Sequence, residues 1–386
     1  MSEKKTNCLN QGDLDKLQQY YREVREFKNF FIKNCCVDKK YEAYKVWAHW
    51  LIRNLCEISD SYHIIPNPKI AEDDSIIAHL KDKGSDPTKV HEFYNLVIFK
   101  ALCLHQKYNQ FKIDFITDPA KVKQMSKLIE YTLCEENGNK YHIYRYMETY
   151  IKHNDIKYKK LLGLYKGDVD SFNFYMFELG FNYYILDGHS LQWCIPPKVF
   201  ETLKTRLSVK TELFAAPTNV NLPLYCSLFY IDKQFGALDN FFNLSNDQIL
   251  EGTFEVNPPF IEKIFIRSSS MVTEFLEKSQ HYNKDLLFIY IMPDWLDSKG
   301  YQMLANSKFL IDEVVFKENK HYYYQSSNDR MVAANFESHV LVIGTQLAKS
   351  RWTAKIRSEI VKNFSSYDRK KDDHKQSPSD KDEDSS

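Results

Sequence analysis

Apolar side chains recur at helical spacing through the first part of the chain. Leu14, Leu17, Tyr21, Val24 and Phe27 share one face, as do Tyr44, Trp47, Leu51 and Leu55, which predicts helix across residues 14–60. A polar break follows, marked by Pro66, Pro68, Gly84 and Pro87. Helical spacing resumes over 90–106 through Phe93, Val97, Ala101 and Leu104. Pro119 suits the first turn of the next helix, with Asp118 as its cap and an expected end near Cys134. Residues 140–165 read as a tyrosine-rich helix, so the first 165 or so residues are expected to be mainly α.

After about residue 172 the pattern changes. Short strands are predicted at 209–214, 225–230 and 253–256, the last running into Asn257-Pro258-Pro259-Phe260. A helix follows, with Ile261, Ile264, Phe265, Val272, Phe275 and Leu276 on one face. Residues 286–292 are continuously apolar, as in a strand covered on both faces. Late strands are predicted at 314–316 and 340–343. Strands alternating with helices imply a layered α/β sheet. From Ser366 the chain has no aliphatic residue and mixes Asp, Lys and Ser, the composition of a disordered tail.

The chain has 386 residues, enough for two or three domains, and 43% apolar residues, enough for a sizeable core. Its 52 Lys+Arg balance 52 Asp+Glu, which excludes a globally basic nucleic-acid binder and leaves room for local basic faces. The start is polar and the longest apolar run is about a third of a membrane span, so a soluble, intracellular protein without a secretory signal is expected. Eight scattered Cys form no C-x-x-C and read as reduced thiols; no metal site is expected. Phosphate-loop, zinc-protease and nucleophile-elbow motifs are absent.

The informative segment is the one around Asn257. A buried strand delivers this amide to the carboxyl end of a sheet, where α/β folds hold their ligands. Two prolines then remove two backbone donors, leaving nearby carbonyls free to accept. The Asn257 side-chain oxygen and the Pro258 carbonyl can each accept one hydrogen of an exocyclic amine. Drawing both hydrogens aside frees the amine lone pair to attack an electrophilic methyl group. Phe260 offers a face on which an unpaired or flipped adenine stacks. The competing reading is an ordinary strand-ending turn with Phe260 as a core residue.

Asn257, Pro258, Pro259 and Phe260 resemble the Asn-Pro-Pro-Phe motif of adenine-N6 methyltransferases. The chain is similar over about residues 172–352 to the catalytic domain of the phosphorylated-CTD-interacting-factor family, the cap-specific mRNA adenosine-N6 methyltransferases. The similar segments come in order: Ile195-Pro-Pro-Lys-Val-Phe200, Glu212-Leu-Phe-Ala-Ala-Pro-Thr-Asn219, Tyr225-Cys-Ser-Leu-Phe229, Phe235-Gly236, Gly252 through Phe260, Ile291-Met-Pro-Asp-Trp295 and His339-Val-Leu-Val-Ile343.

The resemblance implies a Rossmann-like S-adenosylmethionine-dependent methyltransferase sheet, placed at 172–362; periodicity and composition set a mainly helical N-terminal domain at 1–171 before it and a disordered charged tail at 363–386 after it. It implies S-adenosyl-L-methionine as donor, with Phe214, Ala216, Pro217, Asn219, Phe235 and Gly236 lining its pocket, although Ala215-Ala216-Pro217 stands where many methyltransferases have glycines. Asn257, Pro258, Pro259 and Phe260 would hold the target adenine, with Pro293, Asp294 and Trp295 beside them at the next strand end. Each of these segments also has a plain reading as loop packing or a strand-end turn.

The implied substrate is the cap-adjacent (2'-O-methyl)adenosine of mRNA, and the implied location the nucleus, with the cytoplasm as alternative. Adenine-N6 methylation of DNA or internal RNA, or a catalytically silent RNA-binding scaffold, are the rival readings. A small module with paired tryptophans, as in family members that bind the polymerase tail, is not found: Trp47 and Trp50 sit three apart on a helical pattern. Residues 121–168 hold ten Lys/Arg against six acids with seven interleaved tyrosines, and Lys157, Lys159 and Lys160 are candidate RNA contacts. A solvated helix face is the alternative there, as it is for the five basic residues of 349–362.

Overall fold

The computed structural model describes residues 9–57, 62–67, 75–82, 84–187, 193–245, 247–326 and 329–366. Of the charged tail expected at 363–386, residues 367–386 lie outside the described residues.

The helical spacing near the start resolves into two helices, α1 (Gln11–Asn34) and α2 (Lys40–Cys56), rather than one. Asn10 and Asp13 close a capping box at the start of α1. Then come α3 (Ser75–Asp82), α4 (Pro87–Ile116) and α5 (Pro119–Leu128). Asp118 caps α5 as expected, its carboxylate accepting from the Ala120 and Lys121 N–H groups.

Residues 130–154 are not helical. They form an antiparallel meander of β1 (Glu130–Glu136), β2 (Asn139–Tyr146) and β3 (Thr149–Asn154). The signal is Asn137-Gly138, both left-handed at φ 52° and 77°, the pair that a two-residue hairpin turn demands. Only 155–164 of the expected tyrosine-rich helix is helix, α6 (Asp155–Leu164).

Next is α7 (Phe172–Leu186), apolar all round and buried on nearly every face. It buries one charge, Glu178, which pairs with Lys112 of α4 at 2.6 Å and accepts from the Tyr21 hydroxyl. The rest of the chain is β4 (Trp193–Cys194), α8 (Pro197–Leu207), β5 (Thr211–Glu212), β6 (Leu224–Tyr225), β7 (Gly252–Val256), α9 (Glu262–His281), β8 (Leu286–Pro293), α10 (Lys299–Ala305), β9 (Leu310–Phe316), β10 (Tyr322–Gln325), β11 (Arg330–Ala333), β12 (Ser338–Gly344) and α11 (Ala354–Ser365). Helix α11 buries Phe364, so the folded body runs past the boundary expected at 362.

The main sheet is mixed, in the order β6-β5-β7-β8-β12-β9. The strands from β6 to β8 are parallel, and β12 runs antiparallel to both neighbours. All eight residues of β8 are buried, as its apolar run predicts. Alternate side chains enter two cores. Phe288, Tyr290 and Met292 join α9 and the N-terminal helices, whereas Leu287, Ile289 and Ile291 join α8 and α11. The first core continues without a break from α1 into the sheet, so the helical region packs directly on one sheet face. From β5 the chain passes to β6 on one side and later to β7 on the other. That reversal opens a crevice at the carboxyl ends of β5 and β7, where open α/β sheets hold ligands.

Candidate functional site

Two clefts meet at this crevice. The first, about 690 Å³ including its mouth, lies over the end of β5; the second, about 1060 Å³, lies over the ends of β7 and β8. Trp193, Asn257 and Pro259 line both.

Asn257 follows the last residue of β7 and is half-buried. Its side chain makes no hydrogen bond with another described residue, so its amide is available to a ligand. The prolines behave as the sequence implies. The Pro259 carbonyl is taken by the Ile261 N–H at 2.7 Å, which turns the chain into α9, while the Pro258 carbonyl accepts nothing from the described residues. Phe260 lines the second cleft with Pro293 and Trp295. Its ring meets those of Trp295, Phe336 and Tyr323 edge-on, with centroids 6.4, 5.5 and 6.3 Å away. It also borders both apolar cores, so it packs as a core residue while lining the second cleft.

Phe214, Ala216 and Asn219 line the first cleft. Asn219 shapes the loop, its Oδ1 accepting from the Ala216 N–H at 2.7 Å. Pro217, Phe235 and Gly236 are not among the described lining residues. Phe235 is fully buried and its carbonyl accepts from the Tyr225 hydroxyl at 2.8 Å, because the turn of 3-10 helix over 230–235 carries it inward. Asp294 turns away from the second cleft toward His339, whose Nε2 lies 3.3 Å from its Oδ1, while Glu313 holds His339 Nδ1 at 2.6 Å. Asp294, Glu337 and His339 bring three metal-capable atoms within 4.8 Å, and Lys317 already occupies both Glu337 oxygens at 2.8 and 2.9 Å.

The three lysines of α6 do not act together and line neither cleft among the described residues. Lys159 pairs with Asp155 at 2.5 Å. Lys160 donates to the Thr218 carbonyl at 3.2 Å, beside the first cleft, and burial pulls its pKa down. Burial lowers Lys157 to about 8. Among the described residues, the second cleft is lined by Lys45, with His49 beside it, both from α2.

Sequence reasoning also missed Trp193, Ser227, Asn240 and Phe241 in the first cleft. Asn240 caps a turn of 3-10 helix, Phe241–Asn243, its Oδ1 accepting from the Phe242 N–H at 3.0 Å. Its Nδ2 is buried with no partner, as is Trp193 Nε1. Beneath them Asp232 accepts from Ser227 Oγ at 2.6 Å and from the Tyr183 hydroxyl at 2.9 Å, and burial raises its carboxyl to about 7. Glu212 and Glu255 face each other across β5 and β7. Burial raises both, and Glu212 pushes Glu255 further. Glu212 offsets part of its cost by accepting from the Asn221 and Leu222 N–H groups at 2.5 and 2.6 Å, which ties down the loop after β5.

Among the described residues, no helix is long and apolar enough to cross a membrane. The seven described cysteines are free thiols, four of them buried.

A family model described as Phosphorylated CTD interacting factor 1 WW domain matches residues 158–326. That stretch runs from within α6 to the end of β10. The description names a WW domain, whereas the sequence reading found no such module; the described residues of the matched stretch form the helices and sheet strands given above. A Mus musculus protein named mRNA (2'-O-methyladenosine-N(6)-)-methyltransferase is 30% identical over 154 residues, 39% of this chain and 21% of its own length. A Homo sapiens protein of the same name is 29% identical over the same extent. The chain thus matches only about a fifth of the length of these relatives. The resemblance to the phosphorylated-CTD-interacting-factor family stands on these matches.

Proposed function

We propose that the chain is an S-adenosylmethionine-dependent adenine-N6 methyltransferase, acting on the cap-adjacent (2'-O-methyl)adenosine of mRNA. The observation that carries this reading is the pair of free acceptors at the end of β7. Among the described residues nothing engages the Asn257 amide or the Pro258 carbonyl; Asn257 lines both clefts and Pro258 the second, beside an aromatic wall. The names of the relatives supply the substrate, and the clefts supply a place for each reactant.

The sheet order supports a Rossmann-like methyltransferase fold, because its parallel strands reverse direction of addition at the crevice beneath Asn257. Residues 172–362 would be the catalytic domain, with the helical region bracing one sheet face and lending Lys45 to the second cleft. The first cleft suits the donor. Phe214 and Phe241, their rings tilted at 49°, give it an apolar aromatic wall, and its described lining residues carry no charge, which suits the adenosine part of the donor.

S-adenosylmethionine, when bound, supplies an electrophilic methyl group. The chain's own work is orientation. Phe260 and the rings around it hold the adenine face, and Asn257 Oδ1 and the Pro258 carbonyl accept the two amine hydrogens. Those bonds turn the nitrogen lone pair out of the ring plane toward the first cleft. No side-chain base is needed at the attack step, since the proton leaves afterwards to water.

The test uses the full chain, deuterated-methyl donor and RNA beginning with 2'-O-methyladenosine, capped or uncapped. Label in capped RNA alone fits the reading. Equal label in uncapped RNA or in DNA favours the broader adenine-N6 alternative, and no label with intact donor binding favours a silent scaffold.

A further inference from the structure

We infer that Asn240 reads the acceptor edge of a purine ring in the first cleft, its Nδ2 donating to a ring nitrogen. The inference rests on the donor reading given above.

Asn240 is 8% exposed and its orientation is fixed. Its Oδ1 must face the Phe242 N–H, because only an acceptor can bond there. The Nδ2 group is therefore turned the opposite way, where it is buried and unpartnered while its residue lines the cleft. Leaving a buried amide donor unsatisfied costs free energy that a bound acceptor recovers. Among the described residues, Trp193 Nε1 and the Asn257 amide also lack partners and line the cleft, whereas its remaining polar side chains nearby are engaged. Ser227 and Tyr183 both serve Asp232, and Asn219 Oδ1 serves its own loop.

The surroundings select the acceptor. Phe241 follows Asn240 directly and lies 4.9 Å from Phe214 between ring centroids, so a planar ligand has an aromatic wall beside the amide. Among the described residues lining the cleft there is no Lys, Arg, Asp or Glu to balance a carboxylate or an ammonium. A neutral heteroaromatic ring with in-plane lone pairs fits, and the adenine of the donor is such a ring. The amino-acid end of the donor would then lie away from Asn240.

Aspartate caps as well as asparagine. Asn240→Asp therefore keeps the bond from the Phe242 N–H and should stay folded, with a melting temperature lowered by the buried charge, while replacing the donor by a carboxylate. Binding of S-adenosylhomocysteine to the full chain, followed by calorimetry, should weaken by about tenfold or more. Analogues in which N1, N3 or N7 of the adenine is replaced by carbon locate the contact. One of them should bind the wild type about tenfold more weakly and lose nothing further in Asn240→Asp. Unchanged affinity in Asn240→Asp overturns the inference, as does a loss of equal size with every analogue. A wild type that binds no S-adenosylhomocysteine overturns the donor reading as well, whereas wild-type binding that the substitution leaves intact overturns the Asn240 assignment alone.

Discussion

The ring of Phe260 stands edge-on to the indole of Trp295, centroids 6.4 Å apart with planes at 66°. Phe260 follows the two prolines after β7, and Trp295 follows β8 by two residues. The contact therefore joins two neighbouring parallel strand ends and fixes one wall of the second cleft. Phe260→Ala removes a stacking face and also a packed ring at the border of two cores. It should weaken binding of the target RNA by roughly 1–3 kcal/mol and lower the melting temperature, with donor affinity little changed. Phe260→Tyr should keep most of both. RNA titration beside thermal denaturation checks the pair of effects, and a change confined to stability would return Phe260 to packing alone.

Asn257 makes no bond that the fold needs among the described residues. Asn257→Ala should leave the melting temperature and donor binding near wild type. Its turnover should fall roughly 10²–10³-fold, the usual cost of deleting one preorganised polar contact. Near-normal turnover would exclude the amide from orienting the amine.

The Lys112–Glu178 pair, 2.6 Å apart and fully buried, ties α4 to α7. Desolvation pulls Lys112 down and the Glu178 charge opposes that shift. Lys112→Met strands a buried carboxylate and should cost about 3–5 kcal/mol, whereas Lys112→Met with Glu178→Leu should cost much less. Chemical denaturation of the single and double variants checks this. Equal losses would mean that the charge pair itself, not the orphaned charge, sets the stability.

Asp232 gives a pH signature. Its carboxyl is raised from the ordinary 3.8 to about 7 because it is buried. Between those values the folded state keeps a proton that the unfolded chain has lost, so this group's contribution falls as pH rises through the window. Asp232→Asn lacks the titration. Its stability relative to wild type should improve between about pH 4 and pH 7, by at most about 4 kcal/mol, and level off above. Denaturant titrations of both proteins across that range measure the difference. A constant difference would contradict the buried, protonated state.

Much of the architecture was legible because periodicity and caps reported it. The apolar run at 286–292 became a strand buried on both faces, and Asp118 capped the helix that Pro119 opens. The meander at 130–154 was misread because tyrosines fit either period, and Asn137-Gly138 carried the decisive turn signal. Asn257, Phe260 and Trp295 could be placed because a strand end fixes its own neighbourhood. Asn240, Trp193 and Lys45 could not, since they reach the clefts from a 3-10 turn, a two-residue strand and a distant helix, and nothing local marks them. Phe235 and Gly236 are not among the described lining residues of the first cleft, and Phe235 is carried inward by its turn. Of the three lysines, Lys159 pairs with Asp155 and Lys160 donates to the Thr218 carbonyl, and the three line neither cleft among the described residues.

The most direct test of the central claim is where the methyl group goes. RNA capped at 2'-O-methyladenosine is incubated with the full chain and deuterated-methyl S-adenosylmethionine, then digested to nucleosides and analysed by mass spectrometry. The account predicts label on N6 of the first adenosine, lost in Asn257→Ala. Label on a ribose hydroxyl, on the cap guanine or on another base, or label on N6 that Asn257→Ala leaves undiminished, would contradict it.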